Sequence, residues 1–259
     1  MKKRILLIVF ISIIFIINLA AKNDYYYKPI KSETNYSCQN QDVTNNYSTK
    51  DFQEDGSDKT LIIMDSSGSM SEKINGKSKI LIAKMTLDNV LSQIAPDINL
   101  GLRVYGHKFG LLGFDACRAS ELVVPIGPNN IQKIKKEAYK LEPTGASPII
   151  YSIQQALDID FPMAGAGNKR IILISDGMET CGGSPCEYAV DLVRRGIDLK
   201  IDVVGFDLND KEAISQLKCV ALSTKGKFYS ANDESELKNS LTDSLNVSKE
   251  VQGKVYIKH

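Results

Sequence analysis

The amino-acid sequence predicts an α/β fold: a doubly wound, mostly parallel central sheet with one antiparallel edge strand and helices on both faces. Two observations support this prediction. The chain has 259 residues, 43% of them hydrophobic, which is enough to bury one large core. After residue 59, short apolar runs typical of buried strands alternate with segments whose apolar residues recur at helical spacing. Such alternation is typical of parallel sheets covered by helices.

The first strand is predicted at 61–64, an apolar run that ends abruptly at a polar loop. Apolar residues at helical spacing follow at 80–94, and a strand pattern resumes at 100–105. The next apolar run, at 121–125, is joined to that strand by a glycine-containing loop that is too short for a helical crossover. We therefore expect this strand to pair antiparallel with its predecessor at the edge of the sheet.

The second half of the chain continues the alternation. The predicted elements are helices at 131–141 and 149–157, a strand at 170–175, a helix at 187–195, a strand at 199–204, a helix at 211–222, a short strand at 227–229 and a helix at 234–245. Residues 251–258 are predicted to be either a last strand or a tail. These boundaries give a folded domain at 59–246 and a C-terminal tail at 247–259.

The N-terminal residues 1–21 have the pattern of an export signal. A basic start precedes an apolar run at 5–17 and a small-residue exit. Cleavage after Ala21 would put Leu19 at the third position before the cut, where a small residue is preferred, so an uncleaved membrane anchor is the alternative to a cleaved signal peptide. The apolar run is shorter than the ~20 residues of a spanning helix, which favours removal. Residues 22–58 are polar, lack apolar periodicity and are predicted to be an extended or disordered tether.

The net charge and the cysteine content indicate which partners and which cellular compartments are expected. The 32 basic and 31 acidic residues leave a net charge of +1, so we predict no nucleic-acid partner. The five cysteines fit an oxidising compartment, which means export to the periplasm or cell envelope, secretion, or anchoring by the N-terminal segment. Cys181 and Cys186 are close enough for a local bridge, whereas the other cysteines, Cys38, Cys117 and Cys219, are isolated in sequence. With only two histidines in the chain, a zinc site of the usual kind is not expected.

An oxygen-rich cluster follows the first strand directly. Asp65, Ser67 and Ser69 form an Asp-x-Ser-x-Ser pattern in which alternate residues can turn one carboxylate and two hydroxyls to the same side. Such donors suit a hard divalent cation such as Mg²⁺, with Mn²⁺ and Ca²⁺ as alternatives. The competing interpretation is a helix entry, because Ser69 and Glu72 also make a capping box.

Two further polar segments follow other predicted elements. Asp176 ends the strand at 170–175, and the segment at 143–148 presents hydroxyls just before a helix. In open α/β sheets, ligands bind beyond the carboxyl ends of the strands, where the strand order reverses. We therefore expect these segments and the first cluster to share one edge of the sheet.

These three segments together resemble the von Willebrand factor A family, over residues 59–245. The metal-ion-dependent adhesion site of that family combines an Asp-x-Ser-x-Ser motif, a hydroxyl residue in a Gly-x-Thr segment and an aspartate that closes a later strand. By this resemblance Asp65, Ser67 and Ser69 match the first motif, Ser147 matches the threonine position and Asp176 matches the last carboxylate. Ser147 departs from the family pattern because it lacks the methyl group that restricts a threonine rotamer. Thr144 is the competing candidate for its position.

The resemblance implies a non-enzymatic, metal-dependent protein-binding module. In the family, hydroxyls contact the metal directly and carboxylates often act through water, which leaves a position that an Asp or Glu of a protein partner can fill. One alternative is a metal-dependent hydrolase that uses the same cation site, and another is a structural domain whose site is empty in use. His107, in a loop, is expected to be solvated or hydrogen-bonded, and Glu179 with the loop at 181–186 either shapes the partner surface or forms a stapled loop.

Overall fold

The structure is a computed structural model and describes residues 57–108 and 116–252, with side chains as far as residue 245. The predicted export segment at 1–21, nearly all of the predicted tether at 22–58 and the end of the predicted tail lie outside these residues. None of the helices in the described part of the chain combines the length and the apolar character that a membrane span requires.

The described strands form one large sheet and one small hairpin. The strands are β1 (Lys59–Asp65), β2 (Lys73–Ile74), β3 (Lys77–Ser78), β4 (Asn99–Tyr105), β5 (Ser120–Gly127), β6 (Lys169–Ser175), β7 (Lys200–Phe206) and β8 (Phe228–Ala231). The large sheet has the order β5-β4-β1-β6-β7-β8, in which β5 pairs antiparallel with β4 at one edge and the other neighbours pair in parallel. The predicted fold class and the antiparallel edge strand are confirmed.

The helices cover both faces of this sheet. They are α1 (Lys79–Leu91), α2 (Ile131–Tyr139), α3 (Ile149–Gln155), α4 (Phe161–Ala164), α5 (Pro185–Arg194), α6 (Lys211–Ser223) and α7 (Glu234–Gln252). A π-helical turn at Ala156–Asp160 joins α3 to α4. On one face, α1, α2 and α7 contribute to a first buried cluster, and on the other face α3 to α6 contribute to a second.

Alternation along the central strand divides its side chains between these two clusters. Ile62 and Met64 join the first cluster, and Leu61 and Ile63 join the second. Because both faces of β1 are covered by helices, the strand is buried along its whole length. This explains why its sequence is a continuous apolar run instead of an apolar and polar alternation.

The strand order reverses beside β1. From β1 the chain moves outward through β4 to β5, then returns to β6 on the other side of β1 and continues through β7 to β8. The carboxyl ends of β1, β4 and β6 are therefore neighbours at the switch point, with Asp65 level with Tyr105 and Met64 level with Ile174. This edge is where a ligand site is expected in such a sheet.

The hairpin of β2 and β3 has no counterpart among the predicted elements. Its turn is Asn75 and Gly76, with φ values of 51° and 85°, an Asn-Gly pair that suits a two-residue hairpin turn. Each strand has only two residues, too few to show an apolar alternation in the sequence. The hairpin ends immediately before Lys79, the first residue of α1.

The last helix is longer than predicted. It ends at Gln252 instead of residue 245, so the beginning of the predicted tail at 247–259 is helical. A last strand that starts at Val251 is wrong, because this residue lies in α7. The sequence offers a physical reason, since Gly253 is the first glycine or proline after the helix begins.

Candidate metal centre

Side chains from the loop after β1 and from the end of β6 meet at the switch point. The Ser67 Oγ and Ser69 Oγ atoms are 3.0 Å apart, and the Ser69 hydroxyl donates a hydrogen bond of 2.7 Å to Asp176 Oδ1. Ser69 and Asp176 are 107 positions apart in sequence and meet because β1 and β6 are parallel neighbours. The structure therefore brings three of the predicted ligands into one chain of oxygen atoms.

Asp65 lies beneath these hydroxyls and is completely buried. Its Oδ1 atom accepts a hydrogen bond from the backbone N–H of Ser67 at 2.7 Å, and its Oδ2 atom accepts from the hydroxyls of Tyr105 at 2.7 Å and Ser175 at 2.9 Å. Burial raises the pKa of Asp65, against the opposing effect of these hydrogen bonds. Because both oxygens are engaged within the protein, Asp65 is suited to fixing the loop and to acting on a cation through its charge.

Tyr105 and Ser175 are supporting residues that the sequence analysis misses. Each is the last residue of its strand, β4 and β6, on either side of β1. The sequence contains a usable indication, because parallel strands in register place their last residues side by side. A tyrosine and a serine that end the strands flanking a terminal aspartate are candidates to bind that aspartate.

Asp176 is held from two sides. Its side chain is fully buried, with Oδ1 facing Ser69 and Oδ2 lying 3.2 Å from the Nζ atom of Lys79. Burial and the neighbouring charge of Asp65 together raise the pKa of Asp176 to about 6, although the hydrogen bond from Ser69 and the charge of Lys79 act in the opposite direction. Lys79 is a third supporting residue that was not predicted, because nothing in the sequence distinguishes it from the other lysines of the chain.

The segment that carries Ser147 packs against the first motif. The backbone N–H of Gly68 donates to the carbonyl of Gly145 at 3.0 Å, and Ser67 forms an isolated parallel bridge with Gly145. Ser147 is buried, and its backbone exchanges two hydrogen bonds with Thr180: its N–H donates to the Thr180 hydroxyl at 2.8 Å and its carbonyl accepts from the Thr180 N–H at 3.2 Å. The loop after β6 therefore fixes the position of Ser147.

Thr144, the competing candidate, has a different environment. Its hydroxyl donates to the carbonyl of Gly106 at 3.3 Å, and its backbone N–H lies within hydrogen-bond distance of the same carbonyl. This hydroxyl therefore links the segment at 143–148 to the loop after β4. The arrangement favours Ser147 over Thr144 as the hydroxyl ligand.

Glycine allows these loops to approach each other closely. Gly106 has a φ of 73°, and a Cβ atom there would lie 2.7 Å from Ser67 Cα and from the Ala146 carbonyl oxygen. A Cβ atom on Gly145 would lie 2.6 Å from the Lys108 carbonyl oxygen. Any larger side chain at either position would separate the loops that form the centre.

Two disulfides link elements that are distant in sequence. Cys117 pairs with Cys181, and Cys186 pairs with Cys219, so a local bridge between Cys181 and Cys186 is wrong. The reason is the fold: the turn that precedes β5 lies beside the loop after β6, and α5 packs against α6. Neither proximity is visible in sequence spacing. Cys38 lies outside the described residues.

His107 and Glu179 both have partners within the protein. The Nε2 atom of His107 lies 3.1 Å from a carboxylate oxygen of Glu121, which agrees with the expected hydrogen-bonded role. Glu179 accepts from the backbone N–H groups of Ile150 at 2.8 Å and Cys181 at 2.7 Å, and burial raises its pKa to about 7. These contacts and the disulfide at Cys181 make the loop a stapled structure that supports the start of α3.

The donor set fits a hard cation. Ser67, Ser69 and Asp176 offer oxygen atoms, which are the donors that Mg²⁺, Mn²⁺ and Ca²⁺ prefer. In the part of the chain that the structure describes, no group of three or more His, Cys, Asp or Glu side chains is arranged to hold a metal ion. A metal centre at this edge would therefore depend on serine hydroxyls, as the sequence analysis expects.

Comparison with known proteins identifies the family. Residues 60–179 match the model of the von Willebrand factor type A domain. The uncharacterized protein YwmD of Bacillus subtilis (strain 168) is 31% identical over 183 residues, which span 69% of this chain and 81% of YwmD. The chain belongs to the von Willebrand factor type A (VWA) domain family. VWA domains are generally non-enzymatic interaction modules.

Solved structures agree with the VWA fold. The conserved hypothetical protein BatB from Bacteroides thetaiotaomicron superimposes with a TM-score of 0.56 at 18% identity, over 75% of this chain and all of BatB. Proximal thread matrix protein 1 from the mussel byssus, in a structure with a zinc-occupied metal-ion-dependent adhesion motif, has a TM-score of 0.56 at 16% identity, over 74% of this chain and 46% of that protein. At these identities the likeness supports the fold alone.

Proposed function

We propose that this VWA domain is a non-enzymatic, divalent-metal-dependent protein-binding module of the cell envelope. In this proposal the ligands of one Mg²⁺ ion are Asp65, Ser67, Ser69, Ser147 and Asp176, and a carboxylate of a partner protein completes the coordination. The observation that carries the proposal is the continuous contact from Ser67 through Ser69 to Asp176 at the switch point of the sheet.

The charges at the centre favour an anionic partner. Serine hydroxyls are neutral, Asp65 is engaged by three hydrogen bonds inside the protein, and Asp176 already faces the ammonium group of Lys79. A divalent cation bound here would keep a large part of its positive charge and would supply Lewis-acid attraction for an incoming carboxylate. An Asp or Glu of a protein partner fits this requirement.

Location in the cell envelope is supported by independent features. The sequence pattern at 1–21 is that of a cleaved signal peptide or a membrane anchor, and the polar segment at 22–58 would act as a tether. The two disulfides fit an oxidising compartment. We therefore propose that the domain works outside the cytoplasm.

Metal binding is testable with a matched pair of serine variants. Ser69→Ala removes a hydroxyl of the centre, whereas Ser71→Ala removes an exposed hydroxyl of the same loop that donates to the Gly68 carbonyl. In calorimetric titrations with Mg²⁺, Mn²⁺ and Ca²⁺, we expect the wild type and Ser71→Ala to bind and Ser69→Ala to lose binding. At a concentration 100 times the Kd, the metal should add about 2.7 kcal/mol to the free energy of unfolding.

Binding of a protein partner is tested in a second experiment. An envelope extract passed over the immobilised wild-type domain should yield bound protein in Mg²⁺ that EDTA releases, and the Asp65→Ala variant should capture none of it. Absence of binding to all three metals by the folded wild type would refute the metal mechanism. Metal-dependent turnover of a panel of ester and phosphoester substrates would instead support a hydrolase.

A further inference from the structure

Lys79 occupies an unusual position beside the metal centre. Its side chain is 4% exposed, and its Nζ atom lies 2.7 Å from Glu72 Oε2, 3.2 Å from Asp176 Oδ2 and 3.1 Å from Asp207 Oδ2. Asp207 follows β7, and Glu72 follows the turn that carries Ser69. One ammonium group therefore joins three carboxylates from three different loops at the carboxyl edge of the sheet.

The Asp176 carboxylate links this cluster to the proposed ligands. Its Oδ1 atom faces the Ser69 hydroxyl and its Oδ2 atom faces Lys79. A divalent cation and the ammonium group would both be attracted to this carboxylate, but they would repel each other at such short range. A carboxylate that is fully buried also needs a positive partner when no metal is bound.

We infer that Lys79 sets the metal affinity of the centre: its ammonium group is the counter-charge of Asp176 in the metal-free protein and keeps the affinity for a divalent cation below the value that the oxygen ligands alone would give. This inference rests on the proposed metal-binding function. Glu72 and Asp207 hold the ammonium group in place when a cation arrives.

A purely structural lysine would have a different effect. If Lys79 only oriented Asp176, its loss would weaken the fold and metal binding together. If it competes with the cation electrostatically, its loss would weaken the metal-free fold but strengthen metal binding. Stability and affinity then change in opposite directions, and this opposition distinguishes the two roles.

The test is Lys79→Met, with Lys77→Met as the matched control. Lys77 is two residues earlier, is half exposed and pairs with Glu234, so its replacement removes the same charge near the centre without touching Asp176. In calorimetric titrations with Mg²⁺, we expect Lys79→Met to bind about tenfold more tightly than the wild type or tighter still. We expect Lys77→Met to change the affinity less than about twofold. Thermal unfolding in EDTA should show a lower Tm for Lys79→Met.

Each outcome bears on the inference. Equal or weaker Mg²⁺ binding by Lys79→Met would overturn it while leaving the metal function of the wild type intact. Binding by the variant but not by the wild type would support the inference and overturn the proposed function. If neither binds, both are overturned.

Failure of the variant to fold without metal also gives a decisive result. Mg²⁺ should then restore its folded state, because the cation replaces the ammonium group as the counter-charge of Asp176. Circular dichroism with and without Mg²⁺ measures this rescue. A variant that stays unfolded in saturating Mg²⁺ would contradict the inference.

Discussion

Ser147 and Thr144 are the two hydroxyl residues that compete for one place in the proposed metal centre. The Thr144 hydroxyl already donates to the Gly106 carbonyl, whereas Ser147 is held by its backbone to Thr180. We therefore predict that Ser147, and not Thr144, supplies the hydroxyl ligand. The family resemblance already favours Ser147, because the spacing of Thr144 from Gly145 fits the family pattern less well.

A pair of alanine variants separates these roles. We expect Ser147→Ala to weaken Mg²⁺ binding by roughly tenfold or more, since outer-shell partners of a metal alone are worth about 10–100-fold in affinity. Thr144→Ala should bind Mg²⁺ with nearly wild-type affinity. Calorimetric titration of both variants measures the difference, and the reverse pattern would assign the ligand to Thr144.

Glu179 makes the stability of the domain depend on pH. Burial raises its pKa from 4.5 to about 7 in the folded protein, so the folded state binds this proton more tightly than the unfolded state. The contribution to stability is therefore complete at a pH below 4.5 and is lost as the pH rises through about 7. The wild type should lose about 1–3 kcal/mol of unfolding free energy from this group between about pH 5 and about pH 8.

Glu179→Gln provides the comparison, because glutamine does not titrate. Urea unfolding in EDTA at several pH values should show that the difference in unfolding free energy between wild type and variant changes across this range. Other acidic groups titrate equally in both proteins and cancel in the difference. A difference that stays constant with pH would show that Glu179 does not titrate in this window.

At the scale of elements, the loops at the carboxyl edge act as one assembly. The Cys117–Cys181 bridge joins the turn before β5 to the loop after β6, and Thr180 in that loop holds the backbone of Ser147. The Cys186–Cys219 bridge instead joins α5 to α6. The two bridges therefore differ in their relation to the metal centre, although both restrict the unfolded chain.

Serine substitution of each pair should reveal this difference. Replacing Cys117 and Cys181 should cost about 2–4 kcal/mol of unfolding free energy and also weaken Mg²⁺ binding, because Thr180 and Ser147 lose their support. Replacing Cys186 and Cys219 should cost a similar free energy without changing the affinity. Chemical denaturation and metal titration of both double variants give the two quantities. Equal losses of Mg²⁺ affinity in the two double variants would show that the Cys117–Cys181 bridge has no special role at the metal centre.

The elements also show what local sequence patterns can predict. β1 and the helix at Ile131–Tyr139 were predictable, because apolar runs and helical spacing are properties of neighbouring residues. The β2–β3 hairpin has a recognisable Asn75-Gly76 turn, but its strands are too short to display a period. The disulfide partner of Cys181 depends on which loops the topology brings together, and no local pattern records that.

At the scale of the whole molecule, the sheet has two different ends. The predicted ligands lie at the carboxyl end, and their positions follow from the rule that ligands bind at the switch point, so Asp65 and Asp176 could be found from the sequence. The sequence also holds an indication for Tyr105, which ends the strand beside Asp65, whereas the role of Lys79 depends on packing between distant loops and could not be predicted. The carboxylates at the ends of β1 and β6 were therefore predictable as site residues, whereas the lysine that pairs with Asp176 was not.

The opposite end of the sheet holds a buried ion pair that should stabilise the fold independently of the metal centre. The Arg170 Nε atom donates to Asp202 Oδ2 at 3.0 Å, and the other oxygen of Asp202 accepts from the Lys227 N–H at 2.8 Å. Asp202 is level with Ile172, four residues before Asp176, which corresponds to about 13 Å along a strand. Sites separated by more than about 10 Å usually contribute additively to stability.

Asp202→Asn removes the carboxylate charge that pairs with Arg170 in this buried cluster, so we expect a loss of about 3–5 kcal/mol in unfolding free energy. The exposed pair of Glu137 and Lys140 supplies the control, since Glu137→Gln should cost less than about 1 kcal/mol. Neither variant should change the Mg²⁺ affinity, because the loops of the proposed metal centre lie at the other end of the sheet. Denaturation in urea and calorimetry with Mg²⁺ test both statements. A large loss of affinity in Asp202→Asn would mean that the two ends of the sheet are coupled and that the centre depends on the register of the whole sheet.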